Sequence, residues 1–223
     1  NYTHNGVYNN NNNALYIQST RLAANYQSEF DEMFLNGIFT RSADTDNVPY
    51  PQLTIRDENG GDVQIETFFS PEDGAEIEAR LVELIQQADT SVYMMAFSAT
   101  LDSIGEAMVE RHNANVDVEA IFETRGSETQ YSEMGRLVCA NVPFKQDGNP
   151  NTFHHKVIII DNKIVVTGSF NFSASAQDNS ENLLVIHSPE IAQQFTEEFN
   201  RRFNDPRAES PTPELDAKFG CPS

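Results

Sequence analysis

An internal repeat constrains the fold of this chain more than any other feature of its sequence. The segment NALYIQSTRLAANYQSEFDEMF, residues 13–34, aligns without a gap with NLLVIHSPEIAQQFTEEFNRRF, residues 182–203. Identical residues stand at eight paired positions: Asn13/Asn182, Leu15/Leu184, Ile17/Ile186, Ser19/Ser188, Ala23/Ala192, Glu29/Glu198, Phe30/Phe199 and Phe34/Phe203. Each copy predicts a short apolar strand followed by an amphipathic helix, with Ser19 and Ser188 as the helix N-caps.

Between the two copies, predicted strands and helices alternate along the chain. Runs of apolar residues with strand spacing lie at residues 63–69, 91–97, 116–122, 157–160 and 164–166. Apolar residues with helical spacing lie at residues 73–88, 101–113 and 132–139. The last two strands flank Asp161-Asn162, a turn sequence, and are predicted to form a hairpin. Such alternation is typical of a layered α/β domain.

Prolines and changes in composition divide the chain into four parts. Residues 1–37 are predicted to be the end of a truncated first repeat, and residues 38–62 a linker. Residues 63–205 are predicted to form the complete domain, and residues 206–223 a proline-rich tail on its surface. The second repeat is therefore expected whole, and the first only in part.

Charge and cysteine content narrow the classes of function. The 223 residues include 14 Lys and Arg against 34 Asp and Glu, a formal net charge of −20, which argues against an extended basic surface for nucleic acid. Two cysteines exclude a four-thiolate zinc site; Cys139 is expected as a buried thiol or in a disulfide with Cys221. The apolar runs are shorter than the about 20 residues that span a bilayer. The polar start is no signal peptide, and the acidic, asparagine-rich composition is compatible with a mature secreted or periplasmic protein.

The residues that carry chemistry are concentrated in the segment HHKVIIIDNKIVVTGSFNFSASAQDNSEN, residues 154–182. Side chains alternate along a strand, so His154 and Lys156 are expected on one face and His155 on the other. An imidazole beside an ammonium is a poor structural choice, because like charges repel, but it makes a good site for an anion. Ser169 and Asn171 add a hydroxyl and an amide donor. This set suits a phosphoryl group, whose transition state spreads negative charge over several oxygens.

The spacing His-x-Lys-x4-Asp-x6-Gly-Ser-x-Asn, from His154 to Asn171, is similar to the signature of the phospholipase D superfamily. The neighbouring words GSFNFSASA and NSENLLVI resemble the small bacterial endonucleases of that superfamily. The resemblance implies a layered α-β-α sandwich and a phosphodiesterase that needs no metal or other cofactor. It also implies two steps: one histidine attacks phosphorus to form a phosphohistidine, a second histidine protonates the leaving oxygen, and water releases the product.

The resemblance also assigns roles to the motif residues. His154 is the nucleophile or the general acid, and Lys156 and Asn171 hold the phosphate with support from Ser169. Asp161 belongs to the catalytic motif, but it ends the predicted strand, which favours a structural role over direct chemistry. Residues with metal-ligand spacing are absent from the sequence near the motif, and activity is expected to survive a chelator.

Glu181 is expected to accept a hydrogen bond from the histidine and fix its tautomer. Its counterpart in the first repeat is Asn12. The second motif is expected from a missing N-terminal half, with Asn1-Tyr2-Thr3 as the remnant of its Gly-Ser-x-Asn element, or from a second copy in a homodimer. A partner is then needed to cover apolar side chains of the first copy: Leu15, Ile17, Leu22, Tyr26 and Phe30.

Two other functions stay open. The motif specifies a phosphodiester but not the groups that the phosphodiester joins, so a phospholipase D acting on phospholipid headgroups is the alternative to a nuclease. A non-catalytic binding or dimerisation module is a further alternative. Phe170 and Phe172 are expected in the core, and a base-stacking platform is the less favoured interpretation.

Overall fold

The computed structural model describes residues 3–40 and 48–221. Its helices are α1 His4–Tyr8, α2 Thr20–Asn36, α3 Gly74–Gln86, α4 Asp102–Asn113, α5 Glu133–Cys139, α6 Ala174–Gln177, α7 Pro189–Phe203 and α8 Pro213–Phe219. Its strands are β1 Gln52–Arg56, β2 Asp62–Ser70, β3 Ser91–Ala96, β4 Asp117–Phe122, β5 Phe144–Gln146, β6 Lys156–Ile160, β7 Ile164–Gly168 and β8 Glu181–His187. The predicted alternation of strands and helices is confirmed.

The strands form one mixed sheet in the order β1-β2-β8-β7-β6-β3-β4-β5. Only β3–β4 and β4–β5 are parallel neighbours among the strands described; the other pairs are antiparallel. The predicted hairpin is β6–β7, and both of its turn residues, Asp161 and Asn162, have positive φ angles of 53° and 51°. Two such residues in succession match the twist of a tight hairpin.

Both faces of the sheet are covered by helices. On one face, α3, α4 and α5 pack on a core that includes Ile158 and Val185. On the other, α7 packs on Val157 and its neighbours, and Leu22 of α2 packs on the strands beside β8. Adjacent residues of β6 therefore serve opposite cores, as the period of a strand requires. The layered α-β-α arrangement is confirmed, and Phe170 and Phe172 lie fully buried in the first core.

The two copies of the repeat fold differently at their starts. Both predicted helices form, and both N-caps are confirmed: the Ser19 hydroxyl accepts from Leu22 N at 3.2 Å, and that of Ser188 from Ile191 N at 3.3 Å. The strand predicted in the first copy is wrong, because residues 12–19 form none. The segment passes over the face of β7 and β8, whose backbone groups are already paired with each other.

The segments at either end of the main domain contain structure that the sequence analysis did not anticipate. Strand β1 lies within the predicted linker and pairs with β2, while residues 41–47 of that linker, and Asn1 and Tyr2, lie outside the described residues. The tail contains α8 and is tied to α5 by a disulfide between Cys139 and Cys221. No helix in the described part of the chain has the length and apolarity to cross a membrane.

Candidate active site

The predicted site lies at one edge of the sheet, where four chain segments meet. Because β3, β6, β7 and β8 are consecutive antiparallel neighbours, the ends of β3 and β7 lie beside the starts of β6 and β8. Backbone hydrogen bonds join the segments beyond the strands: Phe97 N donates to His155 O at 2.8 Å, Phe172 N to Ser98 O at 3.2 Å, and Ser169 N to Asn182 O at 2.9 Å. The motif residues that the sequence spreads over β6 and β7 are thereby brought together.

His154 and Lys156 lie on the same side of the chain, as predicted, and share a third side chain. Lys156 Nζ lies 4.7 Å from the centroid of the Phe97 ring, and the His154 ring is 4.8 Å from it in an edge arrangement. Lys156 Nζ also donates to the His154 carbonyl oxygen at 3.1 Å. Lys156 is 6% exposed and His154 is half-buried, so the ammonium is fixed while the imidazole reaches the surface.

The burial of this pair sets its charge. Burial, and then the positive charge of Lys156, lower the pKa of His154 to about 4. Burial also lowers the pKa of Lys156 to about 8, and the carboxylate of Glu181 opposes that change. At neutral pH the site therefore offers a neutral imidazole beside an ammonium, a suitable pair for attacking and holding a phosphate.

Ser169 and Asn171 follow β7 at this edge of the sheet, and Glu181 opens β8, from where its charge acts on Lys156. The Ser169 hydroxyl oxygen accepts from Asn182 N at 3.0 Å and from its side-chain amide at 3.2 Å, so its own proton remains available to donate. Within the described residues, the buried Oδ1 of Asn171 has no hydrogen-bond partner; this atom is an acceptor, so only the NH2 group of the same amide could donate to an anion.

Gly168 keeps β7 and β8 close beside Ser169. A Cβ atom on Gly168 would lie 2.0 Å from the Asn182 carbonyl oxygen, so only glycine fits. This motif residue therefore serves the spacing of the two strands.

Asp161 is the one motif residue that the structure does not bring to the site. It follows the opposite end of β6 from Lys156, and its carboxylate accepts from the backbone N–H groups of Asp89, Thr90 and Ser91 at 2.7 to 3.1 Å. Burial alone would raise the pKa of Asp161, but these hydrogen bonds hold it below its usual value. The catalytic assignment of Asp161 is corrected here: it organises the loop between α3 and β3.

His155 lies on the opposite face, as predicted. It is 2% exposed, packs edge-on against Phe153, and places Nε2 at 3.7 Å from a carboxylate oxygen of Glu198 in α7. Burial, and then the charge of Arg202, lower its pKa to about 3. His155 is therefore a neutral core residue beneath α7.

The side chains that contact the two histidines were not predicted from the sequence. Asn12 Oδ1 lies 3.0 Å from His154 Nδ1, and Asn13 Oδ1 lies 3.2 Å from His155 Nδ1. One signal was present in the sequence, since Asn12 is the repeat counterpart of Glu181, the residue expected to orient the histidine. Phe97 carried no comparable signal.

One group of carboxylates in the described part of the chain has metal-ligand spacing. Oxygens of Glu29, Glu32 and Glu72 lie within 4.8 Å of one another, between α2 and the residues that follow β2. Burial, and then Glu72, Glu32 and Asp73, raise the pKa of Glu29 to about 7. The group includes none of the motif residues.

Known proteins resemble this chain in sequence and in fold. Residues 81–203 match the family described as "Cardiolipin synthase, PLD-like domain". The phospholipase D of Rickettsia conorii is 31% identical over 140 residues, covering 62% of this chain and 69% of that protein. The structure of Nuc, a phospholipase D family member from Salmonella typhimurium, is 35% identical with a TM-score of 0.61, covering 67% of this chain and 98% of Nuc. NucT from Helicobacter pylori, at 23% identity and a TM-score of 0.60, covers 67% of this chain and 99% of NucT and has the same fold.

Proposed function

Because the chain belongs to the phospholipase D-like family and is therefore a phosphodiester hydrolase, we propose that it works without a metal ion, through a phosphohistidine. The observation that carries this proposal is that His154 and Lys156 share the Phe97 ring at the edge of the sheet where β7 leads into Ser169 and Asn171. A neutral imidazole, a buried ammonium and the side-chain NH2 group of Asn171, which donates, suit a tetrahedral anion at this edge. None of the three roles needs a bound cation.

In the proposed reaction, the Lys156 ammonium and the Asn171 amide bind the non-bridging oxygens of the phosphodiester, and Ser169 donates to the same group. One histidine attacks phosphorus while a second protonates the oxygen that leaves. Water then attacks the phosphohistidine, with the second histidine as base. His154 supplies one of these two imidazoles.

We propose that the substrate is a nucleic acid. The likeness to Nuc supports this choice, since the chain covers 98% of that protein at 35% identity. A phospholipid is the alternative, supported by the 31% identity to the Rickettsia phospholipase D and by a net charge of −20, which repels polyanions.

The second histidine is proposed to come from a preceding segment with its own motif or from a second copy of this chain. Exposed apolar side chains of the first repeat copy support such a partner: Leu15 is 38% exposed, Phe30 51% and Phe34 73%. Leu22 is buried, so α2 already covers part of the surface for which a partner was expected.

We also propose a secreted or periplasmic location. The disulfide between Cys139 and Cys221 supports it, because such bonds persist mainly in oxidising compartments.

The test is hydrolysis of plasmid DNA and of phosphatidylcholine vesicles in excess EDTA, with the oligomeric state of the active sample measured by sedimentation. We expect turnover of DNA that survives the chelator and is lost in His154→Ala. Turnover of the vesicles alone would move the substrate to phospholipid, and turnover of neither would overturn both proposed substrates. Activity lost in EDTA and restored by a divalent ion would overturn the covalent mechanism. Full turnover by a 25.0 kDa monomer would overturn the requirement for a second histidine.

A further inference from the structure

We propose that Phe97 is a positioning residue of the active site: the face of its ring holds the Lys156 ammonium, and the same ring fixes the place of the His154 imidazole. The effect on turnover rests on the proposed function, but the two ring contacts do not depend on it. The proposal gives a role to a residue that lies outside the motif and that the proposed reaction does not use.

The backbone at Phe97 is fixed from two sides. Phe97 follows β3, and its N donates to His155 O at 2.8 Å, in the segment that leads into β6. The carbonyl oxygen of the next residue, Ser98, accepts from Phe172 N at 3.2 Å. Because Phe172 directly follows Asn171, the aromatic residue is anchored between the two parts of the motif.

The ring of Phe97 contacts both reactive side chains. Lys156 Nζ lies 4.7 Å from the centroid of the ring, within the about 6 Å over which the negative face of an aromatic ring attracts an ammonium. The centroid of the His154 ring lies 4.8 Å away, with an angle of 63° between the two planes. One aromatic side chain therefore sets the separation between the ammonium and the imidazole.

The ammonium of Lys156 has three N–H donors, and the protein accounts for two of them. In the part of the chain that the structure describes, one N–H donates to the His154 carbonyl oxygen at 3.1 Å, and the Phe97 ring covers a second direction. The third donor is then left for an oxygen of the phosphate. Because Lys156 is 6% exposed, water competes little for that donor.

The charges around Lys156 make the ring more than a spacer. Burial lowers the pKa of Lys156 to about 8, and the Glu181 carboxylate of β8 opposes that change. His154 and, on the other face, His155 are neutral at pH 7, because burial first and then nearby positive charges lower their pKa values to about 4 and about 3. The negative face of Phe97 favours the charged form of Lys156 without adding a second carboxylate that would repel the phosphate.

The experiment replaces Phe97 in the full chain by leucine, which is apolar but has no π face, and by tyrosine, which keeps one. The first readout is the pKa of Lys156 from the ¹³Cε shifts of the four lysines, with its signal assigned by its loss in Lys156→Arg. In Phe97→Leu we expect this pKa to fall by about 0.5 to 1.5 pH units, because the charged form loses the ring. In Phe97→Tyr we expect it to stay at the parent value.

The second readout is turnover and its pH profile. In Phe97→Leu, kcat/KM at pH 7 should fall about 10- to 100-fold, because the ammonium and the imidazole lose their common support. The basic limb of the profile should move to lower pH together with the pKa of Lys156. Phe97→Tyr should retain most of the activity. Circular dichroism checks folding, and Phe97→Met takes the place of Phe97→Leu where leucine is not tolerated.

The matched control is a second pair of lysine and phenylalanine, between β5 and the end of α7. Lys145 Nζ lies 5.8 Å from the centroid of the Phe203 ring. Phe203→Leu removes this contact and should leave both the pKa of Lys156 and kcat/KM unchanged.

An unchanged pKa of Lys156 in Phe97→Leu would overturn the contact with the ammonium, whether or not the protein is active. A lowered pKa with unchanged kcat/KM would overturn the positioning role in turnover, and equal losses in Phe97→Leu and Phe97→Tyr would overturn the role of the ring face. A parent protein that hydrolyses no diester but shows the expected change in pKa would overturn the proposed function and leave the ring contact standing.

Discussion

The two copies of the repeated unit have the same sequence pattern but different surroundings. In the second copy, β8 lies between β2 and β7, and α7 covers the sheet so completely that Phe199 is fully buried. In the first copy the chain crosses the face of the sheet without pairing, and Phe30, the counterpart of Phe199, is 51% exposed.

The difference shows that local sequence is enough to determine these helices but not these strands. A helix satisfies its own backbone, so a capping serine and an apolar stripe were enough for α2 and α7 to form alike. A strand depends on a neighbour with free backbone groups, and the first copy meets only groups that are already paired. Yet both copies bring a polar residue to the same site: Asn12, just before the first, contacts His154, and Glu181, just before the second, acts by its charge on Lys156.

The largest expected effect concerns His154, the histidine that Asn12 contacts. His154→Ala should reduce kcat/KM by about 1000-fold or more, because it removes an imidazole that reacts in either proposed role. His155→Ala should retain most of the activity per folded molecule, because its ring faces α7. Initial rates, normalised to the folded fraction from circular dichroism, measure both. Equal loss of activity in the two variants would contradict the assigned faces.

The next prediction tests the packing of the two helices. Phe199→Ala should lower the free energy of unfolding by about 3–5 kcal/mol, since it opens a cavity in a filled core. Phe30→Ala, at the equivalent position, should cost well under about 1 kcal/mol in the isolated chain, because much of its ring is already in water. Urea unfolding measures both values. A cost for Phe30→Ala as large as that for Phe199→Ala would show that a partner covers α2 in solution.

Neutralising the glutamate at equivalent positions of the two copies should change the free energy of unfolding in opposite directions. Glu198 contacts Arg202 at 2.7 Å and also Arg201, whereas Glu29 lies among Glu32, Glu72 and Asp73. Glu198→Gln should therefore destabilise by about 2 kcal/mol.

Glu29→Gln should stabilise by about 1 kcal/mol at pH 8, after allowance for solvent screening. The folded state holds the pKa of Glu29 near about 7 instead of 4.5, so it binds more protons than the unfolded state between those values. Stability contributed by Glu29 is thus present at pH 4 and lost as the pH rises through 7. Unfolding at pH 4 and pH 8 in EDTA tests this; a gain at pH 4 equal to that at pH 8 would contradict it.

The smallest difference is expected at the caps. Ser19→Ala and Ser188→Ala should each cost about 1 kcal/mol, because both hydroxyls accept from the backbone N–H three residues later. Their difference should stay under about 0.5 kcal/mol. Thermal unfolding of the two variants at one pH provides the comparison, and a much larger cost at one cap would show that the copies differ in their helices as well as in their strands.

Local patterns predicted the elements whose cause is local. The run before Asp161-Asn162 predicted β6 and its hairpin, and alternation along that strand placed His154 and Lys156 on one side. Strand β1 escaped prediction because prolines precede it and polar residues flank its apolar ones, so that only the pairing of Leu53 with Ile65 reveals it.

Distant contacts had no local signature. The pairing of β2 with β8 joins Phe68 to Leu183, and the sequence near either residue does not predict this pairing. The contact of Asn12 with His154 spans 142 positions, and only the repeat alignment hinted at it. The role of Asp161 could be recognised only from the loop that it binds in the structure. A motif gives the order of its residues but not the end of the strand at which each of them lies.

The distance of Asp161 from the chemistry has a consequence for how such motifs change over generations. In the proposed mechanism, a descendant that lost His154 and Lys156 would lose hydrolysis, but it would still need the carboxylate that organises the loop before β3 and the glycine that lets β7 approach β8. Mutation would erase the reactive half of the motif and leave its scaffolding half intact. In a protein that has only the counterparts of Asp161 and Gly168, these residues indicate a shared fold, and they do not indicate hydrolase activity.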